Sequence, residues 1–165
     1  MTEVKLDKAL LLVQNSIMKL STQADYAVRT VYELARHEPG AVVQTREIAE
    51  AQHLPEQYLA KVIQSLARAG LLRTSRGNHG GVSLTRPPAQ ISVREVFEAV
   101  DGPLELHRCG QRPEPCGAVP CGTHDFWERV ERLLAGELDG MDFEALADGG
   151  AATGGTVTAD ASTGR

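Results

Sequence analysis

The sequence predicts a mostly α-helical fold that contains one small β-hairpin. Apolar residues recur at helical spacing in several segments between residues 18 and 148. Two short apolar stretches, LLRTS and GVSLT, flank the turn-forming sequence RGNHG, which is typical of a hairpin. Residues 109–124, CGQRPEPCGAVPCGTH, contain too much proline and glycine for regular structure and predict a loop.

The chain of 165 residues is long enough for one domain with a modest core. Residues 1–17 are expected to form an N-terminal extension, and a translation start at Met18 is as compatible with the sequence as one at Met1. Residues 149–165 are rich in Gly, Ala and Thr and contain few large apolar side chains. We therefore expect them to form a disordered tail.

The first helix is predicted to begin at the sequence TQAD, residues 22–25, which matches a capping box. Pro39-Gly40 is expected to end it. The apolar stripe that follows the cap has helical spacing and consists of Val28, Val31, Tyr32 and Ala35.

Two further helices follow closely. Thr45 starts the short segment TREIAEAQHL, and Pro55 is well placed in the first turn of PEQYLAKVIQSLARAG. Gly70 is a natural C-terminal stop for the second of these. The face of that helix predicted to point inward carries Leu59, Val62, Ile63 and Leu66.

Two more helices are predicted after the hairpin. The sequence SVRE, residues 92–95, is a second capping box and starts a helix with Val96, Phe97 and Val100 inward. The last strong helix, HDFWERVERLLAGEL, is expected to begin at Thr123 or His124. Its apolar residues at helical spacing are Phe126, Val130, Leu133 and Leu134.

The order helix, short helix, tight turn, helix, hairpin is that of a winged helix-turn-helix. Residues 18–102 are accordingly predicted to be a DNA-binding domain. The net charge of −5 argues against this, but the charge is unevenly distributed. Residues 57–94, here called the basic segment, hold six Lys or Arg residues and none of the 22 acids. A local positive field on the third helix and the hairpin favours DNA binding over a chance solvated surface.

The candidate DNA contacts lie on two elements. Polar side chains on the outer face of the third helix can reach base edges or phosphates in a major groove. A long cation on the glycine-rich hairpin suits a narrow minor groove. The predicted contacts are Gln57, Tyr58, Lys61 and Gln64 on the helix, with Arg73, Arg76, Asn78 and His79 in the hairpin. A helix-turn-helix that binds protein partners is the alternative.

All three cysteines lie in one predicted loop, residues 103–124, here called the cysteine loop. Cys109, Cys116, Cys121 and His124 provide four candidate metal ligands. Three cysteines cannot all form disulfides within one chain, and no convincing signal peptide precedes them, so we expect a reduced, cytoplasmic protein. Spacing alone leaves structural zinc, an iron–sulfur cluster and a thiol switch open.

Two other classes of protein are disfavoured. No apolar run approaches the roughly 20 residues that a membrane-spanning helix needs. Nor does the sequence contain a nucleophile with a paired base, or a phosphate-binding loop between a strand and a helix. We therefore expect neither a membrane protein nor an enzyme with a small-molecule substrate.

Four segments resemble the Rrf-type bacterial transcription regulators, a family that includes IscR-type and NsrR-type members. They are MKLSTQADYAVR at 18–29, EIAEAQHLPEQYLAKVIQSLARAGLL at 47–72, RGNHGGVSLTRP at 76–87 and the cysteine loop. The resemblance implies a homodimer whose long helix, in residues 125–148, makes the dimer contact. It also implies that the three cysteines hold an iron–sulfur cluster, [2Fe–2S] by preference or [4Fe–4S].

The same resemblance implies a fourth ligand. His124 matches the ligating histidine of IscR-type regulators and is preferred, whereas Asp25 matches the ligating aspartate of NsrR-type regulators. The cysteines are separated by six and four residues here, against five and five in both types, so the cluster type stays open. Gln57, Tyr58 and Arg76 match DNA-contact positions. Ala60 replaces a discriminating glutamate of IscR-type proteins, which implies a different operator.

The expected function is a DNA-binding transcriptional regulator, most simply a repressor of a double-stranded operator. A cluster that senses redox state, nitric oxide or iron–sulfur status would control its DNA affinity. The alternative without a cluster is a zinc-stabilised or thiol-switched winged-helix regulator, or a protein-interaction module.

Overall fold

The structure, a computed structural model, describes residues 21–77, 80–106 and 122–149. These form a mostly helical fold with a two-stranded antiparallel sheet, which confirms the predicted fold class. The helices are α1 (Thr22–Ala35), α2 (Thr45–Gln52), α3 (Glu56–Arg68), α4 (Val93–Asp101), α5 (Gly122–Gly140) and α6 (Phe143–Ala147); the strands are β1 (Leu72–Ser75) and β2 (Gly81–Leu84), with a 3-10 turn at Pro88–Gln90.

Helix α1 is capped one residue earlier than its sequence predicts. The Ser21 hydroxyl oxygen accepts a hydrogen bond from the Ala24 amide at 3.0 Å, so Ser21 is the N-cap and not Thr22. The helix also ends at Ala35, before Pro39-Gly40. Of the predicted stripe, Val31 is fully buried and Val28, Tyr32 and Ala35 are partly buried against the same core. The buried residues of the helix are Ala24, Ala27, Thr30, Val31, Glu33 and Leu34.

Helices α2 and α3 are joined by a sharp turn at His53, which has a left-handed backbone with φ of 53°. A non-glycine residue in this conformation costs about 1–2 kcal/mol. The C-terminal end of α2 is tied back to α1, because Gln52 Nε2 donates to the nearly buried Glu33 carboxylate at 2.6 Å. This hydrogen bond holds the end of α2 against α1.

The hairpin pairs with a segment that lies just before α2. Within the hairpin, β1 and β2 run from Leu72 opposite Leu84 to Ser75 opposite Gly81. Val43 and Val82 then exchange backbone hydrogen bonds of 2.9 and 2.8 Å. A Cβ at position 81 would overlap the Val43 carbonyl, so only glycine allows this close approach.

The C-terminal part of the described chain returns to the core formed by the preceding helices. The Phe143 side chain is fully buried in the same core as the apolar faces of α1, α3 and α4. The Val93 amide donates to the Met141 carbonyl at 2.9 Å, and the Phe143 amide donates to the Ile91 carbonyl at 3.2 Å. The region 125–148 therefore consists of a long helix, α5, and a short helix, α6, that completes the core.

Helix α5 packs against α4 and leaves much of its own apolar face exposed. Phe126, Leu133 and Leu134 are 47%, 69% and 38% exposed. Despite this apolar face, no helix within the described ranges is long and apolar enough to cross a membrane.

Replacing Phe143 by alanine should lower the free energy of unfolding by about 3–5 kcal/mol, because a large side chain would leave a cavity in the core. Urea unfolding followed by circular dichroism measures this. Replacing the exposed neighbour Glu144 by alanine is the matched control and should change stability by less than about 0.5 kcal/mol. Equal effects of the two substitutions would contradict a core role for α6.

Candidate nucleic-acid interface and cysteine loop

Helix α3 presents a polar face to solvent because its apolar face is buried. Leu59, Val62, Ile63 and Leu66 are at most 6% exposed and pack in the core. On the outer face, all four residues predicted to contact DNA are exposed, with Tyr58 at 53%. These four residues are Gln57, Tyr58, Lys61 and Gln64.

An open groove of about 450 Å³ runs between α3 and β1. Lys61 and Gln64 line it from the helix, and Thr74 lines it from the strand. Thr74 was missed by the sequence analysis. Strand alternation could have found it, because Thr74 lies two residues after the buried Leu72 and so shares its face. Polar side chains of the helix and the hairpin therefore line the same groove, whose other lining residues, Ala60, Ile63 and Ala67, are apolar.

The cations of the basic segment divide into two groups. Arg86 pairs with Glu95 at 3.0 Å, and Arg94 pairs with Glu98 at 2.9 Å and with Asp139 at 2.8 Å. Within the described ranges, the other four make no ion pair: Lys61, Arg68, Arg73 and Arg76. Among the described residues of the basic segment, the cations without an ion pair therefore lie on α3 and the hairpin.

Two of the predicted hairpin contacts, Arg73 and Arg76, are exposed on β1 and directly after it. The other two, Asn78 and His79, lie outside the described residues. Arg68, in the last turn of α3, is an exposed cation of the same surface that the sequence analysis did not select.

Most of the candidate metal ligands lie outside the described residues. Cys109, Cys116 and Cys121 fall in the undescribed range 107–121, and His124 is a partly buried residue in the first turn of α5. Within residues 21–77, 80–106 and 122–149, no three His, Cys, Asp or Glu side chains are grouped to hold a metal.

The alternative fourth ligand, Asp25, is engaged within its own helix. Its two carboxylate oxygens accept hydrogen bonds from Arg29 Nε at 3.1 and 3.0 Å, and its side chain is half exposed. Helix α1, which carries Asp25, and helix α5, which carries His124, both pack against α4.

The residues just before the undescribed range contact both α4 and α5. The Leu104 amide donates to Glu98 Oε1 at 3.4 Å, and the Leu106 amide donates to Glu131 Oε2 at 3.2 Å. Glu98 also accepts from Arg94 Nε. Arg94 has a raised pKa, first because of its hydrogen bond to Asp139 and then because of that to Glu98. Polar contacts therefore link the start of the cysteine loop with both helices.

Comparison with known proteins places the chain among transcriptional regulators. Residues 20–149 match the family model Rrf2, described as an iron-dependent transcriptional regulator. The HTH-type transcriptional regulator IscR of Aliivibrio salmonicida is 31% identical over 129 residues, which cover 78% of this chain and 77% of that protein.

Solved structures agree with that family. CymR, the global cysteine regulator of B. subtilis, matches with a TM-score of 0.69 at 26% identity, over 80% of this chain and 98% of that one. T. potens IscR matches with a TM-score of 0.62 at 31% identity, over 79% of this chain and 88% of that one. The chain belongs to the Rrf2 family of winged-helix transcriptional regulators, which are not enzymes.

Proposed function

We propose that this regulator binds double-stranded operator DNA through α3 and the hairpin. The observation that carries the proposal is the set of four unneutralised cations beside an exposed polar helix face. Phosphates supply most of the affinity of DNA-binding proteins, and their attraction to cations falls steeply with salt. A locally positive surface can therefore bind DNA although the whole chain carries a charge of −5.

In this proposal, α3 lies in the major groove. Gln57 and Gln64 have amide groups that can pair with base edges, and adenine is the preferred partner of glutamine. Lys61 contacts a phosphate or guanine, and Tyr58 adds a contact with the DNA backbone. The hairpin residues Arg73, Arg76, Asn78 and His79 contact the adjacent backbone and minor groove.

We propose that the active species is a homodimer joined through α5. The apolar side chains of Phe126, Leu133 and Leu134 are more exposed than is usual for a helix of a monomer, and a second copy of α5 would cover them. A dimer presents two copies of α3, which would bind two half-sites related by two-fold symmetry.

The chemistry of the donor set fits an iron–sulfur cluster. Three thiolates from Cys109, Cys116 and Cys121 and an imidazole from His124 are ligands that iron–sulfur clusters accept. When bound, such a cluster supplies reactivity toward oxidants and nitric oxide. The start of the loop contacts Glu98 of α4 and Glu131 of α5, so its conformation can bias how the two helices pack.

We therefore propose that loading of the cysteine loop shifts the dimer between forms of high and low operator affinity, and that the protein acts mainly as a repressor in the bacterial cytoplasm. The segment that shifts this equilibrium lies between the DNA-binding domain and the helix that joins the dimer.

Zinc is the second candidate for the same ligands. A Cys3His set is well suited to tetrahedral zinc, which would stabilise the loop without redox chemistry. A free thiol switch would use the same cysteines.

Alanine at Lys61 or Arg76 should weaken DNA binding, because each substitution removes a cation from the proposed interface. Each substitution should also reduce the slope of log affinity against log salt concentration by about one unit, because one phosphate contact is lost. Fluorescence anisotropy with a labelled duplex measures both. Arg86→Ala is the matched control, since Glu95 already neutralises Arg86. Binding without salt dependence would contradict the DNA-binding proposal.

Protein purified without oxygen should be coloured and contain iron and sulfide. Replacement of all three cysteines by alanine should remove the colour and change operator affinity at fixed salt. Absorption spectra, metal analysis and anisotropy test this. A colourless protein with one zinc per chain would support the zinc alternative. Unchanged affinity in the triple variant would contradict gating and leave DNA binding intact.

The fourth ligand can be identified by two single substitutions. His124→Ala should shift the absorption spectrum and the reduction potential of the cluster, because loss of an imidazole changes the potential. Asp25→Asn should leave both unchanged. The opposite result would assign the ligand to Asp25.

A further inference from the structure

Arg94 connects the DNA-binding domain to the proposed dimer helix. It lies in the first turn of α4, where its guanidinium donates to Glu98 of the same helix and to Asp139 of α5. The two bonds, of 2.9 and 2.8 Å, have the lengths of charge-assisted hydrogen bonds. A planar guanidinium can hold both carboxylates at once in a fixed geometry, which a lysine ammonium does less well.

The position of Asp139 makes this contact important for the angle of α5. Asp139 is followed by Gly140, where α5 ends, and then by Met141, whose carbonyl accepts a hydrogen bond from the Val93 amide. The backbone after the helix is thus held on the domain. Within this junction, Arg94 holds the last turn of α5 itself.

A small change in the angle of α5 at its C-terminal end would move its N-terminal end by a large distance. The 19 residues of α5 span about 28 Å, so a tilt of about 10° would move its far end by about 5 Å. Successive base pairs of DNA are about 3.4 Å apart. The displacement would therefore correspond to more than one base pair in the separation of two bound half-sites.

We propose that Arg94 is a positioning residue that sets the half-site spacing accepted by the dimer. The inference rests on the proposed function, in which α5 joins two DNA-binding domains. Arg94 acts by bridging Glu98 and Asp139 and does not contact the operator.

A direct role for Arg94 in phosphate binding is the main rival. Arg94 falls in the basic segment, although it is not among the predicted DNA contacts. In the structure, the carboxylates of Glu98 and Asp139 already neutralise its charge and accept hydrogen bonds from its guanidinium. The unneutralised cations of the segment lie elsewhere, on α3 and the hairpin.

The test uses the full-length protein and a duplex that the wild type selects from a pool of random sequences. Its half-site spacing is then lengthened or shortened by one or two base pairs, and affinity is measured for each duplex. We expect the wild type to lose about tenfold in affinity for a change of one base pair, a free-energy cost of about 1.4 kcal/mol.

Arg94→Lys and Asp139→Asn should each flatten this profile to about threefold or less and leave the salt slope unchanged. Arg94→Lys keeps the positive charge, so a phosphate contact would largely survive it, whereas the bridge would not. The double variant should resemble each single variant, because both remove the same interaction. Arg86→Lys, at the ion pair with Glu95, is the matched control and should keep the wild-type profile.

A wild-type spacing profile in both single variants would overturn the inference while the proposed function stands. The inference would also be overturned if the variants lost affinity equally at every spacing and showed a shallower salt slope. That result would make Arg94 a phosphate contact. A wild type that binds no duplex, or binds without any spacing preference, would overturn the proposed dimeric regulator and this inference with it. Thermal unfolding should show that all variants are folded.

Discussion

Burial of one face of α3 is the constraint on which the rest of the structure depends. Leu59, Val62, Ile63 and Leu66 fill the core beneath α1, and this fixes the rotation of the helix about its own axis. The polar residues between them must then face solvent. Buried apolar area of this kind contributes about 1.5–3 kcal/mol for each large side chain, far more than any exposed contact on the outer face. The packing of these core residues therefore determines which polar side chains of α3 are exposed.

The parts of the fold that depend on local pattern could be predicted from the sequence. The inward and outward faces of α3 follow from helical spacing, and the capping box Ser92–Glu95 is present as predicted, with the Glu95 amide 3.2 Å from the Ser92 hydroxyl. Contacts between distant residues could not be predicted. Arg94 and Asp139 are 45 positions apart, and no periodicity relates them. The burial of Phe143 under α1 is a contact of the same long-range kind.

The candidate site also combines features that follow from the local sequence pattern with features that depend on distant residues. Exposure of the four α3 residues follows from the helix pattern, but the neutralisation of Arg86 and Arg94 required the acids of α4 and α5 to be placed in space. Fewer cations of the basic segment are therefore available to DNA than its sequence suggests. Of the four cations of the basic segment without an ion pair among the described residues, Lys61 lines the groove, and Arg68, Arg73 and Arg76 lie on the same two elements, α3 and the hairpin. A local positive field on these elements would attract an approaching polyanion. The candidate metal ligands Cys109, Cys116 and Cys121 lie outside the described residues and stay a prediction from residue type and spacing.

The pairing of Val43 with Val82 has a consequence for how the domain opens. These two backbone bonds attach the hairpin to the residues that lead into α2, and Gly81 allows the approach. The hairpin cannot separate from the segment before α2 unless these two hydrogen bonds break. The two elements should therefore behave as a single cooperative unit in amide hydrogen exchange, although 38 residues lie between the paired valines in the chain.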